Sequence, residues 1–223
     1  MTKRRATLLD LDGTLVDSVP GIHEALRLTL ATHADAGCSI EETRHWVGNG
    51  PRVLVTRGLQ ARLAQTPETA RIDAALRTFS DHYLQTVYQG ALYADVSAGL
   101  RAFRAAGLQL ACITNKPSAF TLPYLEHLDI AGHFNTVICA DQVRQPKPHP
   151  ESLVLACERL GVKASQAVMV GDSINDLLPA QALAMPRIAV TYGYHQGEDL
   201  GSAAPVLMAD RFQQVTDFLL FDR

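Results

Sequence analysis

The sequence predicts an α/β protein: an open parallel sheet of Rossmann-like type flanked by helices, with an inserted all-α cap domain. Three observations predict it. Short, near-continuously apolar β-rich runs recur at 7–11, 108–114, 136–140, 167–171 and 187–191, which suits strands covered on both faces better than the alternation of a half-exposed antiparallel sheet. The segments between the last four runs look helical, so a right-handed βαβ series follows. The interval from about residue 18 to about residue 92 contains no convincing strand.

Each element follows from local signals. Between Pro150 and Gly161, the residues Leu153, Val154, Cys157 and Leu160 fall on one helical face, with proline opening the helix and glycine closing it. In the strandless interval, Ile72, Leu76, Phe79, Tyr83 and Val87 repeat at helical spacing, and Gly48-Asn49-Gly50-Pro51 interrupts an otherwise helical stretch. The expected boundaries are therefore 1–17 and 92–223 for the α/β core and 18–91 for the helical cap. The 223 residues have room for one domain carrying such an insertion.

Composition narrows the function classes. A hydrophobic share of 47% with 19% charged residues implies a buried core rather than disorder. The net charge of −3 comes from 20 basic and 23 acidic residues without a dense basic run, so nucleic acid is not an expected partner. The basic segment 1–5 is followed by an apolar run that reaches Asp10 within a few residues, too short for a secretory leader. No stretch approaches the roughly 18 uninterrupted apolar residues of a membrane span. A cytoplasmic protein without a membrane partner is expected, as a monomer or homodimer. Cys38, Cys112, Cys139 and Cys157 lack C-x-x-C spacing and are expected to be buried free thiols.

The chemistry gathers at strand ends. The first run closes in Asp10-Leu11-Asp12-Gly13-Thr14, two carboxylates at the carboxyl edge of a parallel strand, where ligands of open α/β sheets bind. Side-chain alternation would point both the same way if the extended backbone persists to Asp12, and Gly13 permits a sharp turn. Two converging aspartates repel and need a cation. The second run ends in Thr114-Asn115-Lys116, whose hydroxyl and turn amides suit phosphoryl oxygens, although a threonine there also serves as a helix cap. Lys147 lies between prolines in Gln145-Pro146-Lys147-Pro148, where its ammonium would neutralise phosphate; by residue type alone it belongs on the surface. The fourth run ends in Gly171-Asp172-Ser173-Ile174-Asn175-Asp176, two more hard oxygen donors suited to magnesium. Their alternative roles are a helix N-cap for Asp172 and a first-turn charge for Asp176.

In this order the four motifs, Asp10-Leu11-Asp12-Gly13-Thr14, Thr114-Asn115, Lys147, and Gly171-Asp172 with Asp176, resemble the haloacid dehalogenase superfamily, and a helical insertion directly after the first motif resembles the cap of one subgroup. Asp17-Ser18-Val19-Pro20, Trp46-Val47-Gly48-Asn49-Gly50, Lys147-Pro148-His149-Pro150 and Tyr192-Gly193-Tyr194 are similar to segments of bacterial phosphoglycolate phosphatases, and bear on substrate rather than reaction. The resemblance implies a phosphatase in which Asp10 is the nucleophile and Asp12 the general acid and base. It further implies Mg2+ held by Asp10, the backbone carbonyl of Asp12 and Asp172, with Asp176 supporting. Thr114, Asn115 and Lys147 bind the phosphoryl group of a small phosphate ester, with 2-phosphoglycolate the expected substrate. In the cap, Gly48, Asn49, Gly50 and Arg52 are the candidate specificity residues, Arg52 through a bidentate pair with a substrate carboxylate. A phosphatase or phosphomutase acting on a sugar phosphate uses the same aspartates, and an inactive binding domain is the non-enzymatic alternative. Gly48-Asn49-Gly50 follows no strand and does not continue as a dinucleotide-binding loop.

Overall fold

A computed structural model describes residues 4–221 of the chain; the first three residues of the basic segment 1–5 lie outside it. The strands are β1 (Ala6–Leu9), β2 (Val16–Asp17), β3 (Ala91–Leu92), β4 (Gln109–Ile113), β5 (Thr136–Ile138), β6 (Ala167–Gly171), β7 (Arg187–Val190) and β8 (Leu207–Ala209). The helices are α1 (Val19–Ala34), α2 (Ile40–Trp46), α3 (Pro51–Arg62), α4 (Thr69–Thr86), α5 (Val96–Ala105), α6 (Ser118–His127), α7 (Glu151–Leu160), α8 (Ile174–Ala182) and α9 (Phe212–Phe221). The chain divides into two compact units, one made of Met1–Asp17 with Leu92–Arg223 and the other of Ser18–Ala91.

In the first unit six strands form a parallel sheet in the order β5-β4-β1-β6-β7-β8. The central strands β1 and β6 are buried along their whole length, as their unbroken apolar runs require when helices cover both faces. Successive strands step away from β1 through β4 to β5, then return to its other side at β6. The sheet thus changes direction beside β1, and such a switch opens a crevice at the carboxyl ends of the strands. Helix α7 runs from its N-cap Pro150 to a left-handed C-cap at Gly161, as the flanking signals predict. It buries Leu153, Ala156, Cys157 and Leu160 while Val154 stands exposed, because the apolar stripe follows i, i+3, i+4 and i+7 from Leu153 and Val154 falls beside it. Elsewhere in this unit α5 packs against α9, where Gly99 makes room for the Phe212 ring and Phe103 meets Phe212 edge-on at 6.1 Å.

The second unit is all helical apart from Ala91. Helix α1 packs along α4, and at Gly21 an added Cβ would lie 2.2 Å from the Thr86 carbonyl oxygen. The Thr86 hydroxyl donates to the Gly21 carbonyl at 2.8 Å. Helix α2 opens on a capping box between Ser39 and Glu42. Helix α3 opens at Pro51 after Gly48 and Gly50, both with positive φ. Of the stripe predicted in α4, Phe79, Tyr83 and Val87 are buried, and Ile72 and Leu76 are half-buried. Cys112, Cys139 and Cys157 are buried free thiols, and Cys38 is half-buried and free. Among the described residues no helix is long and apolar enough to cross a membrane.

Candidate active site

The site is built from the carboxyl ends of β1, β4 and β6 and the loop after β5. At the end of β1 the Asp10 amide still donates to the Val170 carbonyl, 3.0 Å, which keeps the Asp10 backbone in register with β6. Extended geometry stops there. Gly13 adopts φ +92°, its amide donates to the Val16 carbonyl at 2.8 Å, and the chain doubles back. The carboxylates of the two aspartates of the first motif each meet their own buried ammonium. Asp10 pairs with Lys147 at 2.6 Å, and Asp12 pairs with Lys116 at 2.5 Å.

Lys147 is only 5% exposed, which overturns its expectation as a surface lysine by residue type. Its Nζ donates to Asp10 Oδ1 at 2.6 Å, Asp176 Oδ1 at 2.6 Å and the Ile113 carbonyl at 2.7 Å, one acceptor for each of its three N–H bonds. The loop that carries it is fixed from outside. Glu151 accepts from the Arg144 and Gln145 amides, and the Asn115 side-chain amide donates to the Lys147 carbonyl at 2.9 Å. Asn115 therefore ties the lysine loop to the end of β4. Thr114 is buried at that same strand end, its hydroxyl accepting from the Lys116 amide at 3.1 Å.

After β6, Ser173 and not Asp172 is the N-cap of α8. Asp176 completes the capping box, with Oδ2 accepting from the Ser173 amide and hydroxyl at 3.1 and 2.9 Å. That frees Asp172 from capping. Its Oδ1 accepts from the Thr14 hydroxyl at 2.9 Å and its Oδ2 from the Tyr194 amide at 2.6 Å. Tyr192 donates its hydroxyl to the Thr14 carbonyl at 2.8 Å. A Cβ at Gly193 would come within 2.5 Å of Asp172 and within 2.3 Å of the Gly13 carbonyl oxygen. The segment Tyr192-Gly193-Tyr194, expected to bear on substrate, thus makes its contacts with the acidic site, as a clamp on Asp172. Burial holds the Tyr194 phenol well above its ordinary pKa, and the hydroxyl donates to Asp17 at 2.5 Å.

Asp10, Asp172 and Asp176 each offer an oxygen within 4.8 Å of the others, all buried. Burial pushes the Asp10 carboxyl well above its ordinary range, and the charges of Asp176 and Asp172 add to the effect, against the opposing pull of Lys147. Burial, then the Asp176 charge, raises Asp172 to about 7. Burial alone would lower the Lys147 ammonium, but Asp10 and Asp176 outweigh it and raise its pKa. With all three carboxylates ionised, the one ammonium beside them leaves two negative charges uncompensated. An all-oxygen donor set with that deficit fits a hard divalent cation such as Mg2+.

Sequence reasoning gives no site role to Thr14 or Lys116, and does not foresee that Tyr192-Gly193-Tyr194 grips Asp172. Thr14 stands in the first motif and Lys116 directly follows Thr114-Asn115, but their partners, Asp172 and Asp12, are more than a hundred residues away. In the helical unit, Gly48, Asn49 and Gly50 lie in the α2–α3 turn and Arg52 in the first turn of α3. There the Arg52 guanidinium is paired with Asp73 at 2.5 Å, and Arg57 braces the turn by donating to the Trp46 carbonyl at 2.8 Å and to Asn49 Oδ1 at 3.1 Å.

A parallel sheet with an acidic cluster and a buried lysine at its switch point defines a hydrolase class, and the chain belongs to the haloacid dehalogenase-like hydrolase family, which it matches over residues 5–183. It is 40% identical over 219 residues to the phosphoglycolate phosphatase of Colwellia psychrerythraea, covering 96% of each chain. It is 37% identical to that of Psychrobacter arcticus, covering 97% of this chain and 96% of the relative. The crystal structure of a predicted phosphoglycolate phosphatase from Haemophilus somnus superposes with a TM-score of 0.92 at 28% identity, covering the whole of both chains. The protein is accordingly a phosphoric monoester hydrolase.

Proposed function

We propose that the protein hydrolyses a small phosphate monoester, 2-phosphoglycolate, to the alcohol and inorganic phosphate through an aspartyl-phosphate on Asp10. The observation that carries this reading is the buried Asp10, held through one oxygen by Lys147 and facing Asp172 and Asp176. A fixed, desolvated carboxylate suits in-line attack on phosphorus. The substrate assignment is supported by the relatives, whose names give phosphoglycolate as what those proteins act on.

In the first step an Asp10 oxygen forms a bond to phosphorus as the ester P–O bond breaks, and Asp12 gives its proton to the departing alkoxide. In the second, Asp12 takes a proton from water, the water oxygen bonds to phosphorus, and the bond to Asp10 breaks to restore the carboxylate. Lys147 and the Thr114 hydroxyl hold the phosphoryl oxygens, where negative charge spreads as the group transfers. Asp10, Asp172 and the Asp12 carbonyl would hold Mg2+, with Asp176 in support. When bound, the ion supplies positive charge that offsets carboxylate repulsion towards the phosphate dianion. Gly48, Asn49, Gly50 and Arg52 are proposed to select the substrate. For Arg52 this requires exchanging Asp73 for a substrate carboxylate, an exchange its half-exposed side chain permits.

The test is phosphate release with Mg2+ from 2-phosphoglycolate, several sugar phosphates and an aryl phosphate. The reading expects the highest kcat/KM on 2-phosphoglycolate; a sugar phosphate turned over faster would reassign the substrate, and release from none of them would remove the reaction.

A further inference from the structure

Lys116 is a second buried ammonium at the site, and the four motifs give it no role. Its side chain is 5% exposed and its Nζ lies 2.5 Å from Asp12 Oδ1. The ammonium also sits over the ring of the fully buried Tyr124, 5.0 Å from its centroid, a favourable electrostatic contact for a desolvated cation. Its backbone is pinned as well. The amide donates to Thr114 Oγ1 at 3.1 Å, and the carbonyl accepts from the Thr121 hydroxyl and the Ala140 amide. Both ends of the lysine are thereby fixed to β4, α6 and the turn after β5. Asp12, by contrast, sits in the turn after β1 and its side chain is 16% exposed, so its own surroundings constrain it less.

The two lysines divide the two aspartates between them. Lys147 serves Asp10 and Asp176, and Lys116 serves Asp12. Burying a lysine costs several kcal/mol unless it is paired, and a surface residue would serve to stabilise a turn. The placement instead fixes the orientation of the one carboxylate that must reach both the ester oxygen and the incoming water.

We propose that Lys116 is a positioning residue for proton transfer: by holding Asp12 Oδ1 it presents Oδ2 to the leaving-group oxygen. This rests on the phosphatase reading with Asp12 as general acid. The consequence is selective. An alkyl ester must leave as a protonated alcohol, whereas p-nitrophenolate is stable enough to leave without the proton. Loss of Lys116 therefore harms the first ester far more than the second. Misplacing a catalytic group by about 1 Å costs on the order of a hundredfold, within the 10²–10⁴ that general acid catalysis supplies.

The experiment compares kcat/KM, which reports the steps through departure of the leaving group, for the best alkyl ester of the panel and for p-nitrophenyl phosphate. Lys116→Met keeps the apolar stem and removes the charge. It is expected to lower kcat/KM for the alkyl ester by about ten- to a hundredfold and for the aryl ester by no more than about threefold. Lys116→Arg restores the charge with an altered geometry and is expected to recover part of the alkyl-ester rate; if Lys116→Met does not fold, the arginine variant carries the comparison, with the alkyl ester still losing more than the aryl ester. Equal losses on both esters, or no loss on either, overturn the proposal while leaving the phosphatase reading intact. A wild-type protein that turns over neither ester removes both.

Discussion

Asp172 is held in place by a hydroxyl and a backbone amide from two other turns. Its two oxygens are taken by the Thr14 hydroxyl and the Tyr194 amide, and the turn that brings that amide close contains Gly193, where a Cβ would meet the Gly13 carbonyl oxygen at 2.3 Å. Backbone lies on both sides of that contact, so neither can yield by rotating a side chain. Gly193→Ala is expected to push the 192–194 turn away from Asp172 and, with Asp172 as the proposed metal ligand, to weaken Mg2+ binding by about ten- to a hundredfold, the usual cost of disturbing a ligand's outer-sphere partner. Calorimetric titration of the substrate-free protein with MgCl2 measures this directly; an unaltered affinity in a folded variant would show that the clamp does not set the Asp172 position. At this scale the carboxylates are legible in the sequence, because an aspartate at the end of an apolar strand has little structural use. The ammoniums are less so: Lys147 stands out by its place between prolines and in the order of the motifs, and Lys116 does not. Lysine is so common on surfaces that only the fold reveals Lys116 and Lys147 to be buried, and only the contact with Asp12 gives Lys116 a role.

Among the elements, the helices of the inserted unit depend on close backbone approach as much as on apolar stripes. At Gly21 the α1 backbone comes so near α4 that the Thr86 carbonyl occupies the space of a Cβ. Gly21→Ala is expected to destabilise this unit by about 1–3 kcal/mol, the range for overpacking a tight contact. Trp46 is the only tryptophan in the chain and lies in this unit, so urea unfolding followed by its fluorescence isolates the effect. An unchanged midpoint would mean that the helices separate without cost. Element types are readable because the period of the apolar residues differs between strand and helix. The central strands read best, since burial on both faces leaves an unbroken apolar run. Strand β8 is illegible for the opposite reason: it is three residues long, at the sheet edge, and Met208 within it is exposed. The sequence pattern puts Val154 on the buried face of α7 because adjacent positions 153 and 154 are only about 100° apart on a helix, and packing chooses between them.

For the molecule as a whole, chain order and chemical role coincide at one sheet edge. Residues from 10 to 176 converge there because β1 lies between β4 and β6, and the order β5-β4-β1-β6-β7-β8 turns at that strand. The sequence carries the members of the cluster but not their distances, so it ranks Asp10 as nucleophile without showing that Lys147 holds it or that Asp12 is held separately. The division into two ammonium–carboxylate sets suits one role for each aspartate, in the proposed reaction attack on phosphorus by Asp10 and proton transfer by Asp12. In the proposed reaction Asp10 itself becomes phosphorylated. Acid quenching during turnover of p-nitrophenyl phosphate with Mg2+, followed by peptide mass mapping, tests it most directly. One phosphoryl group on Asp10, absent from Asp10→Asn, is the predicted result; turnover that leaves Asp10 unmodified, or a phosphoryl group on another residue, would contradict it.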